Sequence, residues 1–129
     1  MKLQVRKLQE SDWEFIPKWW KSNKQNKSIE NLRDFLPGSF QIGDYEEKRS
    51  GLGGFIVCKE NDPIAITWLI MTNSNCAISS QVLSDLSYND EDKEKALKLL
   101  NNFVNNFAKE LGYKYITKLS KDTKLVKKL

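Results

Sequence analysis

The residues of this chain best suited to chemistry lie between Val82 and Leu111, in the stretch VLSDLSYNDEDKEKALKLLNNFVNNFAKEL. A short strand end runs there into an acidic turn, and the turn opens a long amphipathic helix. A helix start just beyond a strand is a ready anion site, because its first amides lack partners and its dipole is positive. Asp90, Glu91, Asp92 and Glu94 stand where a phosphate-bearing ligand favours glycines and bare amides. Elsewhere the options narrow. The chain has no histidine, which removes the commonest general base and zinc ligand together with Ser/His and Cys/His nucleophilic schemes. Catalysis would have to draw on carboxylates, tyrosines, lysines, backbone dipoles or water. Cys58 and Cys76 are the two cysteines, and their spacing fits neither a metal site nor a disulfide framework. Each lies in an apolar strand-like run, so both are expected to be buried free thiols.

Three further features invite a functional reading, and each has a plainer one that is favoured. Lys114, Lys118, Lys121, Lys124, Lys127 and Lys128 form a basic end in a chain of net charge +4. Such an end can meet nucleic acid or a negative cofactor. Without aromatic-interleaved motifs a solvated rim is favoured, which argues against a nucleic-acid partner. The run Gly51-Leu52-Gly53-Gly54 suggests a phosphate loop, but a strand follows it and no P-loop lysine does, so it reads as a loop entering a hairpin. Trp13, Trp19 and Trp20 are candidates to line a pocket, with core packing favoured because aromatics dominate core burial by area.

The elements that must position these residues follow from patterning. At 129 residues, 40% hydrophobic and 29% charged, the chain is expected to form a single globular domain over residues 1–129. No apolar run approaches the roughly 20 residues that span a bilayer. The polar start MKLQVRKLQESD does not resemble a signal peptide, so a cytoplasmic protein without a membrane partner is expected. Alternation over Met1–Leu8 predicts a first strand. Ser11 and Asp12 are expected to cap a helix bearing Trp13, Ile16, Trp19 and Trp20, with Pro17 shortening or displacing it. Ile29–Leu36 predicts a second short helix, ended by Pro37-Gly38. Asp44–Arg49 is expected to be a charged exposed patch. Phe55–Lys59, Ile64–Met71 and Cys76–Leu83 predict an antiparallel meander. Its middle strand is apolar enough for burial on both faces.

A helix over 91–111 follows, with apolar residues from Ala96 to Leu111 at three- and four-residue intervals. Asn89 or Asp90 is the expected N-cap and Gly112 the stop. Tyr113–Leu119 predicts a strand lying beside that of Leu83. Ser120–Leu129 predicts a closing helix with Leu125, Val126 and Leu129 as its apolar contacts.

This order resembles the GNAT superfamily of N-acetyltransferases. The resemblance is carried by VRKLQESDWEFI, by Phe55-Ile56-Val57 with Ile64-Ala65-Ile66-Thr67-Trp68, and by ALKLLNNFVNNFAKELGYKYI. It implies an α+β fold with a mixed α/β sheet, in which an antiparallel meander leads through a central helix to a parallel fifth strand. It also implies an acetyl-CoA-dependent N-acyltransferase acting on an amine, small-molecule or peptide, whose identity the sequence does not give. The alternative is a catalytically inactive binding or interaction module on the same fold.

In the family the fourth and fifth strands splay, and the pantetheine arm pairs with the fourth, which here implies Val82, Leu83 and Ser84. A turn rich in small residues then wraps the pyrophosphate. Aligning that turn on Tyr88 and Ala96-Leu97 puts Asn89 at its Gln/Arg position, and Asp92 and Glu94 where small residues belong. Lys93 and Lys95 would offset the acidic charge if they fold toward the cleft. The expected sign of a working site is strands splayed near Leu83 and Tyr115, with open amides beyond Tyr88. The acyl carbonyl would be polarised by backbone N–H near Ser84. The family often protonates its leaving thiolate with a tyrosine, and Lys121–Leu129 contains none. The family also runs on into two further strands beyond Lys127-Lys128-Leu129. Part of the sheet and acceptor site is therefore expected to be missing, or supplied by a second subunit in a homodimer.

Overall fold

The computed structural model describes residues 2–23, 31–38, 51–80, 82–119 and 124–129, the last group without the side chains of 124–127. The described strands are β1 (Leu3–Lys7), β2 (Gly54–Lys59), β3 (Asp62–Ile70), β4 (Cys76–Ser79), β5 (Leu83–Ser84), β6 (Tyr115–Leu119) and β7 (Lys124–Lys128). The α-helices are α1 (Ile16–Ser22), α2 (Leu32–Phe35) and α3 (Asp90–Glu110). The strands form one mixed sheet in the order β1-β2-β3-β4-β6-β7, with β5 off that path and paired to β3. All pairings are antiparallel except β4 with β6. The architecture is the expected α+β mixed sheet.

Two apolar layers sandwich the sheet. On one face Ala96, Leu100, Val104 and Ala108 of α3 pack with Phe55, Val57, Ala65, Leu69 and Ile116. On the other, Ile16 and Trp19 of α1 pack with Ile56, Cys58, Ile66, Trp68 and Leu83. Residues Ile64–Leu69 of β3 are buried throughout, because helices cover both faces of a strand in the middle of the sheet. Phe55 anchors the α3 layer, with the rings of Phe103 and Phe107 edge-on at 5.2 and 4.9 Å.

The first helical segment departs from expectation. Ser11 and Asp12 are not N-caps of an α-helix: they lie inside a 3-10 turn, Glu10–Glu14, whose N-cap is Gln9, and Asp12 completes a capping box there as its third residue. Asp12 also turns inward. Its carboxylate accepts two bonds from the Arg6 guanidinium, at 2.7 and 2.8 Å, and one from the Gln9 N–H at 2.8 Å. Pro17 then falls in the first turn of α1, where a missing N–H costs nothing, so it starts the helix and does not interrupt it. The second helix is reduced to Leu32–Phe35, capped by Asn31, and its expected first residues Ile29 and Glu30 lie outside the described set, as does the patch Asp44–Arg49.

Gly51–Gly54 serves packing. A Cβ at Gly53 would overlap the carbonyl of Gly38, and one at Gly51 would stand 2.5 Å from the Trp13 ring on a backbone already at φ +69°. The Trp68 indole N–H donates to the Gly51 carbonyl at 2.7 Å.

Two corrections concern the end of the chain and the fourth strand. The predicted helix Ser120–Leu129 is replaced by β7, which pairs antiparallel with β6 from Leu119↔Lys124 to Tyr115↔Lys128. Residues 120–123 and the side chains of Leu125 and Val126 lie outside the described set. The predicted continuous strand Cys76–Leu83 is broken into β4 and β5. Cys76 is half-buried and not fully buried, whereas Cys58 is buried as expected, and both are free thiols.

Candidate functional site

The break between β4 and β5 creates the site. Leu69 pairs with Ser79, whereas Ile66 pairs with Leu83, so three steps along β3 oppose four along the neighbouring segment. Ser80 still faces β3: its N–H donates to the Trp68 carbonyl at 2.9 Å, and its hydroxyl accepts the Trp68 N–H at 3.0 Å. The Thr67 hydroxyl donates to the Ser80 carbonyl at 3.0 Å and sits 3.3 Å from the Ser79 hydroxyl. The parallel pairing of β4 with β6 ends at Ser79↔Lys118. The splay expected near Leu83 and Tyr115 is not found at Tyr115, which pairs with Cys76. Among the described residues Leu83 and Ser84 pair with β3, and the described β4–β6 pairing stops at Ser79.

The orientation of the freed edge follows from the register. Asp85 N–H donates to the Ile64 carbonyl at 2.9 Å, so strand alternation turns the N–H and C=O of Ser84 away from β3. Both are met by one side chain. The Asn23 carboxamide, just past α1, accepts the Ser84 N–H at 3.2 Å and donates to the Ser84 carbonyl at 3.0 Å. Its amide nitrogen is also 2.7 Å from the Trp19 carbonyl. A planar amide is thus paired with the β5 edge as a neighbouring strand would be. Leu83 is buried on the α1 side, while Val82 and Leu86 expose apolar side chains on either side of Ser84.

The start of α3 is different. Asn89 is the N-cap, and its Oδ1 accepts the Asp92 N–H at 2.8 Å. The Lys93 N–H donates to the Asn89 carbonyl at 3.1 Å. The Asp92 carboxylate is only 9% exposed and folds back, accepting from Asn89 Nδ2 at 3.0 Å and from Lys59 Nζ at 2.9 Å. Those bonds hold the Asp92 carboxyl below the usual carboxylate range, first through Asn89 and then through Lys59, and Asp92 in turn raises the Lys59 ammonium. Tyr88, just before the cap, has its phenol pushed up by burial and by Asp62. Lys95 does not fold toward the β5 edge: it lies 3.4 Å from Glu91, one helical turn back. Asp90, Glu91 and Glu94 are exposed. The amides expected to be open beyond Tyr88 are in part closed by the protein's own groups, and a further anion would meet a ring of carboxylates.

Of the residues singled out by sequence, Leu83 and Ser84 form β5, and Val82 precedes it. Asn89, Asp92, Lys93, Glu94 and Lys95 make up the first turns of α3. Asn23 and Lys59 were not among them. Their partners lie 61 and 33 residues away, and no local pattern marks such contacts. Among the described residues there is no group of three or more His, Cys, Asp or Glu able to hold a metal ion, and no helix long and apolar enough to cross a membrane.

No protein-family model and no curated protein sequence matches the chain. Solved structures do. N-acetylglutamate synthase from Neisseria gonorrhoeae, complexed with coenzyme A and N-acetyl-glutamate, superposes with a TM-score of 0.61 at 11% identity over 95% of this chain. This chain spans only 26% of that one. An aminoglycoside acetyltransferase from an uncultured soil metagenomic sample, in complex with trehalose, gives 0.58 at 16% identity, covering 93% of this chain and 78% of that one. The diaminobutyrate acetyltransferase of Paenibacillus lautus, in complex with L-2,4-diaminobutyric acid and coenzyme A, gives 0.58 at 16%, covering 91% and 64%. At these identities the likeness is one of fold, and the fold is that of the GCN5-related N-acetyltransferases.

Proposed function

We propose that the protein is an N-acyltransferase of the GNAT type, holding an acyl thioester along β5 and passing its acyl group to an amine. The observation that carries this reading is the edge of Ser84. Its N–H and C=O face away from β3 and already engage an amide, that of Asn23. The pantetheine arm of acetyl-CoA is a chain of such amides, and Val82, Leu83 and Ser84 are the residues that would hold it. When bound, acetyl-CoA supplies an acyl group activated as a thioester. An amine can attack that thioester directly, so no protein nucleophile is needed, and a backbone N–H near Ser84 would polarise its carbonyl. Val82 and Leu86 expose apolar side chains on either side of this edge.

The fit is partial. The β5 edge suits the arm; the start of α3, with Asp92 closing it and Asp90, Glu91 and Glu94 around it, does not suit a diphosphate. Asn89, Asp92, Lys93, Glu94 and Lys95 are read as a degenerate pyrophosphate turn. This closed start favours a second reading, in which the fold serves as a binding or interaction module without catalysis. An aminoglycoside acetyltransferase and a diaminobutyrate acetyltransferase bound to L-2,4-diaminobutyric acid are among the structural neighbours, which supports a small amine as acceptor under the first reading.

Calorimetric titration to about millimolar ligand separates the two. Acetyl-CoA and its nucleotide-free arm, S-acetylpantetheine, are titrated in parallel, and thiol release is followed with a panel of amines. Binding of at least one thioester is expected. No heat from either ligand overturns the transferase reading and leaves the binding module.

A further inference from the structure

The two ends of the candidate site make opposite demands on a ligand. The β5 edge presents one N–H and one C=O, a neutral pair that matches a secondary amide. A chain laid along β5 toward its C-terminal end runs on to the first turn of α3, the next element after residues 85–89. Helix starts ordinarily welcome phosphate there, because unpartnered amides and the dipole act together. Here the Asp92 N–H is taken by Asn89, the Asp92 carboxylate already supplies the negative charge that the dipole favours, and Lys59 is committed to that carboxylate at 2.9 Å. Lys95 is paired with Glu91, while Asp90, Glu91 and Glu94 remain exposed. A diphosphate arriving at this turn would face the carboxylates of Asp90, Glu91 and Glu94.

We infer that the donor for which this cleft is built is an acyl thioester of pantetheine that carries no diphosphate. This rests on the transferase reading above and narrows its substrate. The transfer balances as for any thioester: the amine nitrogen forms the new C–N bond, the C–S bond breaks, and the amine's proton passes to the departing thiolate. The arm can come free in solution or tethered to a carrier protein through a single phosphate, and the chemistry at β5 is the same.

The test uses the full chain and calorimetry, without acceptor amine. S-acetylpantetheine should bind at least as tightly as acetyl-CoA at low salt, and acetyl-CoA should gain relative to it as salt screens the carboxylates. Tighter binding of acetyl-CoA at low salt overturns the inference while leaving the transferase reading intact. Absence of binding by either overturns both. A second variant guards against ambiguity: the exposed pair Glu91→Gln and Glu94→Gln should raise acetyl-CoA affinity about threefold or more and leave S-acetylpantetheine unchanged. No change for acetyl-CoA, or an equal change for both, overturns it. An acetylated phosphopantetheinyl carrier protein binding more tightly than the free arm would identify a tethered donor, and weaker binding a free one; both support the nucleotide-free class.

Discussion

Replacing Asn23 tests whether the β5 edge is a ligand site. In Asn23→Ala the two bonds to Ser84, at 3.0 and 3.2 Å, and the bond to the Trp19 carbonyl at 2.7 Å all disappear. A neutral hydrogen bond contributes about 0.5–1.5 kcal/mol net, so the free protein should lose about 1–2 kcal/mol of stability. Ligand binding should move the other way. In the native chain an incoming amide exchanges the Asn23 bonds for its own, with little net gain. In the variant the Ser84 N–H and C=O wait unpaired, and the ligand gains both. That difference is worth about 1–2 kcal/mol, or roughly five- to thirtyfold tighter binding. The assay pairs thermal melts with calorimetric titration of S-acetylpantetheine. Asn23→Asp serves as an internal control: it still accepts the Ser84 N–H but sets a carboxylate against the Ser84 carbonyl, so it should destabilise the free protein. A cooperatively folded Asn23→Ala protein that binds the thioester no better than the native chain would refute the reasoning.

Three further outcomes can be checked on the same material. Asp12→Ala removes two bonds from Arg6 and one from Gln9 at a carboxylate with 3% side-chain exposure, against an Arg6 that is 35% exposed. It should cost about 2 kcal/mol in chemical denaturation, with Asp12→Asn intermediate. Lys59→Met removes one of the two groups that hold Asp92 below the usual carboxylate range. A depressed carboxylate stabilises the fold above its unfolded pKa and loses that contribution as pH falls through the folded one. Without Lys59 the part of the acid-induced fall in melting temperature that comes from Asp92 should therefore be smaller and level off at a higher pH than in the native chain; identical profiles would show the ion pair to be idle. Gly53→Ala would drive a methyl into the Gly38 carbonyl, a backbone atom that cannot rotate aside, and should cost about 2–3 kcal/mol or prevent folding.

How far the sequence foretold this depends on whether a residue's partner is local. The helix α3 was legible because its apolar residues repeat at three and four and Asn89 precedes its acids, and the observed span Asp90–Glu110 differs from the expected one by a single residue at each end. The strands β2 and β3 were legible from their apolar runs. The terminal strand was not. Leu125, Val126 and Leu129 fit one side of a helix, and only pairing with β6 selects the extended form. Asp12 suits a cap by type and position and does accept the Gln9 N–H, but its other partner, a guanidinium on β1 six residues earlier, has no local signal. At the candidate site, the strand leading to Ser84 and the acidic start of α3 could be read directly. The shift of register between the β4 and β5 pairings, the Asn23 amide and the Lys59 ion pair depend on long-range contact, which composition does not encode.

The Asn23 carboxamide has a second consequence, for the behaviour of the protein in a crowded solution. A strand that leaves its neighbour exposes unpaired N–H and C=O groups, and such edges invite strands from other molecules. Here the edge is two residues long and already covered by a side chain from the same molecule. The cover can be given up to a small ligand, whereas a foreign strand would find only Ser84 to pair with. The protein can keep its sheet open at this point without becoming a template for its own aggregation.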